Sequence, residues 1–417
     1  MITESTWPTR RILPRLVASA LTVVATTGAA QEDRHEFTFQ FDVRFVATDI
    51  ERSFTDGGLG LGRFDQAHED LQLGRAFLDY RGRLAETLDL QVTLDAYGDA
   101  DKNPVDVSES FLEWRPYPSS GWRWRTRLGA FYPPISLENR GPGWQSVYSI
   151  SPSAINTWIG EEIRTIGAEV NATWLGTRLG KAVDISLIAA VYGWNDPMGV
   201  VIFQRGWGIH DRQTALFGQL PEMFPMGTTR SGLELFHEID DRAGYYAGVQ
   251  VSWPERLVLR ALHYDNRGDP GANNGYEYAW LSRFDSAGLR VEWQRDWTLI
   301  LQWMAGDTAV GASADGRGLI ILDYDSYFAL LSREFGRHRV TLRYDDLFTQ
   351  TARGAQFFNG YQDAEGWLLA YLFEFDEHWQ LAVEALQVRG ELGQRTAIGL
   401  DEHLRERTLQ LALRYTF

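Results

Sequence analysis

The chain has 417 residues, room for two or three soluble domains or for one large all-β unit. It contains no Cys, which removes thiol nucleophiles, Cys-ligated metal centres and disulfides from consideration. A formal net charge of -16, from 40 Lys and Arg against 56 Asp and Glu, repels nucleic acid, and every basic residue except Lys102 and Lys181 is Arg.

The first thirty residues read as an export signal. Arg10, Arg11 and Arg15 precede the short apolar run Leu16 to Ala25, and Gly28-Ala29-Ala30 supplies the small residues of a cleavage site. The run is too short to span a bilayer as a helix, and no later segment offers 18 consecutive apolar residues. The expected division is therefore 1–30 as signal peptide and 31–417 as the mature unit.

Beyond it a period of two dominates. Phe37, Phe39, Phe41, Val43 and Phe45 alternate with Thr38, Gln40, Asp42 and Arg44. Leu88, Leu90, Val92, Leu94 and Ala96 alternate with Asp89, Gln91, Thr93 and Asp95. Strands are predicted at about 36–49, 70–84, 87–98, 107–116, 121–132, 163–175, 181–193 and 243–254. Eight more follow near 256–266, 276–294, 297–306, 320–334, 337–349, 365–376, 378–390 and 405–417. Short turns such as W-P-E-R, Q-R-D-W and F-D-E-H-W alternate with longer Gly-, Asp- and Asn-rich loops. Outward positions at strand ends are often aromatic: Trp114, Trp122, Trp174, Trp253, Trp293, Trp303, Trp367 and Tyr415. Both patterns suit a transmembrane antiparallel β-barrel of about 16 strands, with apolar residues toward lipid, polar residues toward the lumen and aromatic girdles at the interfaces. Fourteen or eighteen strands also fit the pattern. The final strand, R-T-L-Q-L-A-L-R-Y-T-F, puts Leu409, Leu411, Leu413, Tyr415 and Phe417 on one face, and its terminal Phe resembles the assembly signal of bacterial outer-membrane proteins. A secreted β-sandwich would share the turns but not the aromatic exterior.

Three consecutive segments carry a family resemblance: F-L-E-W-R-P-Y-P (111–118), R-L-G-A-F-Y-P-P-I-S-L-E-N (127–139) and E-E-I-R-T-I-G-A-E-V (161–170). Their stretch, about 70–175, resembles the phosphate-selective porin O and P family. The resemblance implies a trimeric sixteen-stranded porin whose third loop, here about 133–162, folds into the lumen, with arginines and loop lysines favouring anions or phosphate. Tyr132 stands where that family has a basic residue before Pro133 and Pro134, and no Lys lies in the loop, so the lysine part of a phosphate site is missing.

Selectivity is expected from Arg123, Arg125 and Arg127, which share one face of a strand at spacings of about 7 Å. The same residues could instead pair with inward carboxylates such as Asp89, Asp95 or Glu113. Arg44 on the first strand and Glu138 and Arg140 in the third loop complete the pore-lining set. Tyr132, Trp144, Tyr148 and Trp158 would form a sugar-stacking slide or anchor the loop to the wall. Asp99, Asp101, Asn103 and Asp106 imitate the start of a calcium loop, but Pro104 stands where Gly is needed and Ser110 where the closing Glu belongs.

The expected function is a diffusion porin passing small hydrophilic solutes, anions among them, in the outer membrane of a Gram-negative cell. It needs no cofactor or metal, and its expected partners are its solutes, outer-membrane lipid and lipopolysaccharide, and two further copies of itself. Two other readings stand beside it. One is a surface receptor or adhesin; the other is a rim-active hydrolase using His210-Asp211, Asp240-Asp241 or Asp345-Asp346. Neither G-x-S-x-G nor H-E-x-x-H occurs, which disfavours the enzyme.

Overall fold

The computed structural model describes residues 34–99, 103–221 and 232–417. The expected signal peptide lies outside them, as does Asp101. Sixteen strands form the wall. They are β1 (His35–Thr48), β2 (Asp70–Ala85), β3 (Leu88–Ala96), β4 (Val105–Trp114), β5 (Trp122–Phe131), β6 (Thr165–Trp174), β7 (Asp184–Gly193) and β8 (Gly244–Trp253), followed by β9 (Leu257–Asp265), β10 (Leu281–Trp293), β11 (Trp297–Val310), β12 (Ile320–Phe335), β13 (His338–Arg353), β14 (Gln362–Glu374), β15 (Trp379–Leu392) and β16 (His403–Thr416). Each pairs antiparallel with its neighbours, and β1 pairs with β16 from Gln40↔Thr416 to Thr48↔Thr408, closing the barrel. Closure leaves no edge strand, the condition for a sheet in hydrocarbon. No helix among the described residues is long and apolar enough to cross a membrane.

The alternation of side chains decides which way each strand faces. In β16 the outward residues are Arg407, Leu409, Leu411 and Leu413, while Thr408, Gln410, Ala412 and Arg414 are buried inside. The short turns lie at the end that carries residue 417, and the longer connections lie at the other. Trp114, Trp174, Trp253 and Trp293 end their strands at the short-turn side, whereas Trp303 and Trp367 sit higher, facing outward in β11 and β14. Several strands start or stop a few residues from expectation: the strand expected at 276–294 begins only at Leu281, and 107–116 is shifted to 105–114.

Sixteen strands enclose more space than wall side chains can fill. Two connections enter it. The expected one leaves β5 after Phe131, forms a small ribbon (Asn139–Gly141 with Gln145–Ser146), and turns into helix α1 (Ala154–Glu162) before β6. The other was not foreseen: in the connection between β7 and β8, residues 194–221 also run inward, carrying helix α2 (Val200–Arg205) and Trp207, which is wholly buried. Both segments pack on an apolar part of the inner wall. Tyr246, Tyr264 and Phe284 are successive cross-strand partners on β8, β9 and β10, and Tyr264 stacks on Phe284 at 4.8 Å. Trp158 of α1 meets Phe284, Tyr324 and Trp207 edge-on at 5.1 to 5.7 Å. The lumen-facing side was expected to be polar throughout. From β7 to β12 it is largely aromatic and aliphatic at the level of α1, because it receives loop side chains instead of water. Open space remains on the β1, β2 and β16 side and beside the ribbon.

Candidate functional site

The re-entrant loop is fastened to the wall at many points. The Arg343 guanidinium on β13 donates to Glu138 (3.0 Å), Asp345 (2.7 Å) and the carbonyls of Ser151 and Pro152. Glu384 on β15 accepts the amides of Ile150 and Ser151, and Asp345 accepts that of Ala154. Arg260 on β9 reaches the carbonyls of Pro134 and Ser136. Buried backbone donors and acceptors need partners, and here the wall supplies them. The second inward segment is held by Gln362 on β14, which bonds both the N–H and the C=O of Trp207. The Glu162 carboxylate links the two segments, accepting from Gly199 and Val201 at the start of α2 and from the Trp158 indole. Burial pushes Glu162 up to about 7, although those donors favour its charged form.

Between the loop ribbon and the β1–β2–β16 wall lies a small space, the throat, of about 20 Å³, room for roughly one water. Its charged lining consists of Arg44, Arg75, Arg212 and Arg414 with Asp42 and Asp211, and behind it Asp95 and Asp99 pair with Arg75 and Arg212. Arg44 binds Asp42 (2.7 Å) and Asp211 (2.5 Å). Arg63, just outward, binds Asp99 (2.7 Å) and Asp211 (3.2 Å). Burial works against the Asp211 charge, but the guanidiniums of Arg44 and Arg63 outweigh it and hold this carboxyl far below the usual range. Arg75 donates to Asp95 (2.6 Å) and to the Gly143 carbonyl (2.7 Å), tying the β2 bulge to the ribbon. Arg212 stacks over Tyr97 at 4.0 Å. Arg414 is the least committed. Its Nε has no hydrogen-bond partner and lies 3.6 Å from Asp42, and Nη1 donates to Gln380.

Toward the short-turn end the throat opens into a cavity of about 320 Å³ that shares Gln40, Gln145, Ser146 and Arg414 with it. A second space of about 350 Å³ lies beside the ribbon, lined by Arg81, Glu109, Glu113, Arg125, Arg127 and Arg260, among others.

The residues expected to line the pore are spread over these spaces. Arg44 lines the throat, and Asp95 stands behind it on Arg75. Arg125 faces the side space, 3.9 Å from Glu113 and 3.6 Å from Glu169. Arg127 is closed against Glu169 (2.9 Å) and lies over the Phe131 ring at 4.0 Å. Arg123 is exposed at the short-turn end, where no carboxylate among the described residues pairs with it. Asp89 pairs with Arg115, and Arg140 projects into a wide mouth of about 1680 Å³, 3.5 Å from Glu292. Glu138 is wholly buried on Arg343. Of the loop aromatics, Tyr132, Tyr148 and Trp158 are buried and act as anchors, while Trp144 lines the throat with its ring stacked on Tyr132 at 4.0 Å.

Arg75, Arg212 and Arg414 were not singled out from the sequence. Arg414 stood in plain view on the inner face of the last strand. Arg75 and Arg212 are brought in by a β-bulge and by the second inward segment, whose apolar run M-G-V-V-I-F (198–203) was the available sign that this connection does not stay in water.

The three pairs considered for a hydrolase are not brought together. His210 is buried beneath Phe54 (4.3 Å), beside Arg205 and Glu161, and burial lowers its proton affinity. Asp345 faces inward in β13 and Asp346 outward. In the calcium-like stretch, Asp99 is taken by Arg63, and Asp106 accepts the amides of Val107 and Phe217. Asp196, Glu238 and Asp240 at the rim offer oxygens within 4.8 Å of one another, but Asp196 already accepts the amides of Ile239 and Asp240.

A closed sixteen-stranded antiparallel barrel with loops folded into its lumen is the architecture of outer-membrane channels. Solved structures share it. The outer membrane channel DcaP of Acinetobacter baumannii is similar with a TM-score of 0.54 at 11% identity, over 94% of this chain and 100% of that one. The trimer form of OmpT, an outer membrane protein of Vibrio cholerae, gives 0.51 at 11% identity over 92% and 99%. The anion-selective porin of Comamonas acidovorans gives 0.49 at 13% identity over 92% and 99%. No family model and no curated protein matches the chain. At such identities the likeness is one of fold.

Proposed function

We propose that this protein is an outer-membrane diffusion channel that passes small hydrophilic solutes and favours anions. The observation that carries the reading is the throat: four guanidiniums and two carboxylates converge on a small space inside the barrel that shares Gln40, Gln145, Ser146 and Arg414 with a larger one toward the short-turn end. Fixed positive charge in a water-filled constriction flanked by a low-dielectric wall attracts anions and repels cations, and Arg keeps its charge at every physiological pH. A space of this size holds about one water, so the passage of a hydrated ion or a small solute requires the ribbon or the arginines to move.

The export signal at 1–30 and the aromatic girdles support an outer-membrane address, with the short-turn end facing the periplasm. The motifs at 111–118, 127–139 and 161–170 support kinship with the phosphate-selective porin O and P family, and assembly as a trimer follows from that kinship. Phosphate itself has weaker support, because the throat is built from Arg alone. Of the groups that carried the hydrolase reading, His210 sits between Phe54, Arg205 and Glu161, and the throat carboxylates Asp42 and Asp211 are paired with Arg44 and Arg63.

The test is reconstitution of the refolded protein into a planar bilayer and into liposomes. Stepwise conductance together with swelling in small anionic solutes, excluding those the size of a disaccharide, is expected. A barrel that binds solute yet never conducts would replace this reading with that of a surface receptor.

A further inference from the structure

From the outward face of β14, β15, β16 and β1, we propose a docking site for a lipid with a phosphate headgroup, drawn from the outer leaflet. The proposal rests on the outer-membrane reading above. Cross-strand pairing sets the outward residues in level rows. One row runs Leu342, Leu369, Ala385, Leu409 and Ala47 across five adjacent strands. The alternation of Leu with Ala leaves a depression of about 550 Å³, roofed at its outer edge by Trp367, Gln387 and Arg407. It opens onto the exterior of the barrel, where the floor is exposed to hydrocarbon and an acyl chain fits between the leucines.

The rows above the floor carry the headgroup chemistry. Trp367, Gln387 and Arg407 are successive partners, and one step outward so are Glu365, Arg389 and Arg405. Around the neighbouring strands β11 to β13 the outward belt at this height is acidic: Asp307, Asp323, Asp325 and Asp346. Over the groove it turns basic. Arg389 and Arg405 are direct cross-strand partners, an arrangement of like charges that is unfavourable unless something neutralises it. Glu365 pairs with Arg389. Arg405 reaches only the Gln387 side chain at 3.5 Å, and no carboxylate among the described residues pairs with Arg405 or Arg407. Asp49 lines the same rim and accepts the Arg407 backbone amide. Two exposed guanidiniums above an apolar trough present a bidentate donor set at headgroup height, and phosphate is the anion a lipid offers there.

The experiment uses the refolded full chain in detergent, with diphosphoryl hexa-acyl lipid A as the probe and native mass spectrometry as the readout. Two variants are compared with the parent: R405Q/R407Q, which removes the charges, and A385F, which fills the floor. Heat-modifiable gel mobility and single-channel conductance confirm that each has folded. The expected result is retention of lipid A by the parent and a loss of about tenfold in both variants, with the dephosphorylated lipid poorly held by all three. Equal retention by parent and variants, equal binding of the dephosphorylated lipid, or displacement of lipid A by millimolar inorganic phosphate would overturn the site. Arginine-dependent retention in a protein that never conducts would support the lipid site and refute the channel.

Discussion

Each throat guanidinium has a different tether, and the tether decides what its loss should do. Arg414 leans on Gln380 and lies 3.6 Å from Asp42, so R414Q should remove a charge with little structural cost. Its expected effect is a fall in anion-over-cation permeability of about fivefold, since a unit charge about 4 Å away acts with about 1 kcal/mol even at the dielectric constant of water. Arg44 is different. It binds Asp42 and Asp211 together, so R44A leaves Asp211 with Arg63 alone and Asp42 with Arg414 at 3.6 Å, and should lower thermal stability by about 1–3 kcal/mol, measured as an earlier heat-modifiable transition. Gly74 explains how Arg44 fits at all: a Cβ there would fall 1.6 Å from Asp42 Oδ1 and 2.2 Å from Arg44 Nε. G74A should therefore displace the pair and change selectivity although no charge is altered, which reversal potentials would register.

Among the elements, the two inward segments act as one unit joined at Glu162. Its folded carboxyl titrates at about 7 against an ordinary 4.5. Below pH 4.5 both folded and unfolded forms hold the proton. Between about 4.5 and 7 the folded form keeps a proton that the unfolded form has lost, so stability falls as pH rises through that window, by up to roughly 3 kcal/mol. Melting transitions followed from pH 4.5 to 8 should decline for the parent, and E162Q should flatten that part of the curve. Glu384 makes the opposite kind of link, from wall to loop. E384A leaves the amides of Ile150 and Ser151 without their acceptor at a cost of about 1–3 kcal/mol each, which limited proteolysis of the loop would reveal.

At the scale of the whole molecule, the barrel was legible because its rule is local. A strand between lipid and lumen must alternate, and β1, β3 and β16 do so residue by residue. The strict alternation of short and long connections then yields an even strand count without any knowledge of register. The throat was much less legible. Arg44 and Asp211 are 167 positions apart, Arg75 and Gly143 are 68 apart, and both contacts depend on loops that re-enter the barrel. Arg123, Arg125 and Arg127 stood out for the opposite reason: a period of two on one strand is visible in the sequence, whereas the partner Glu169 that neutralises Arg127 comes from the next strand. The aromatic inner wall of β7 to β12 was hidden because an inward Tyr or Phe looks like an outward one until register is known.

The central claim is that selectivity resides in the β1–β2–β16 throat and not on β5. Its most direct test is the reversal potential of the refolded protein in a planar bilayer under a KCl gradient, for the parent, R212Q/R414Q and R123A/R125A. Anion preference in the parent, abolished in R212Q/R414Q and retained in R123A/R125A, is the expected result. Cation preference in the parent, or anion preference that survives in R212Q/R414Q and vanishes in R123A/R125A, would contradict it.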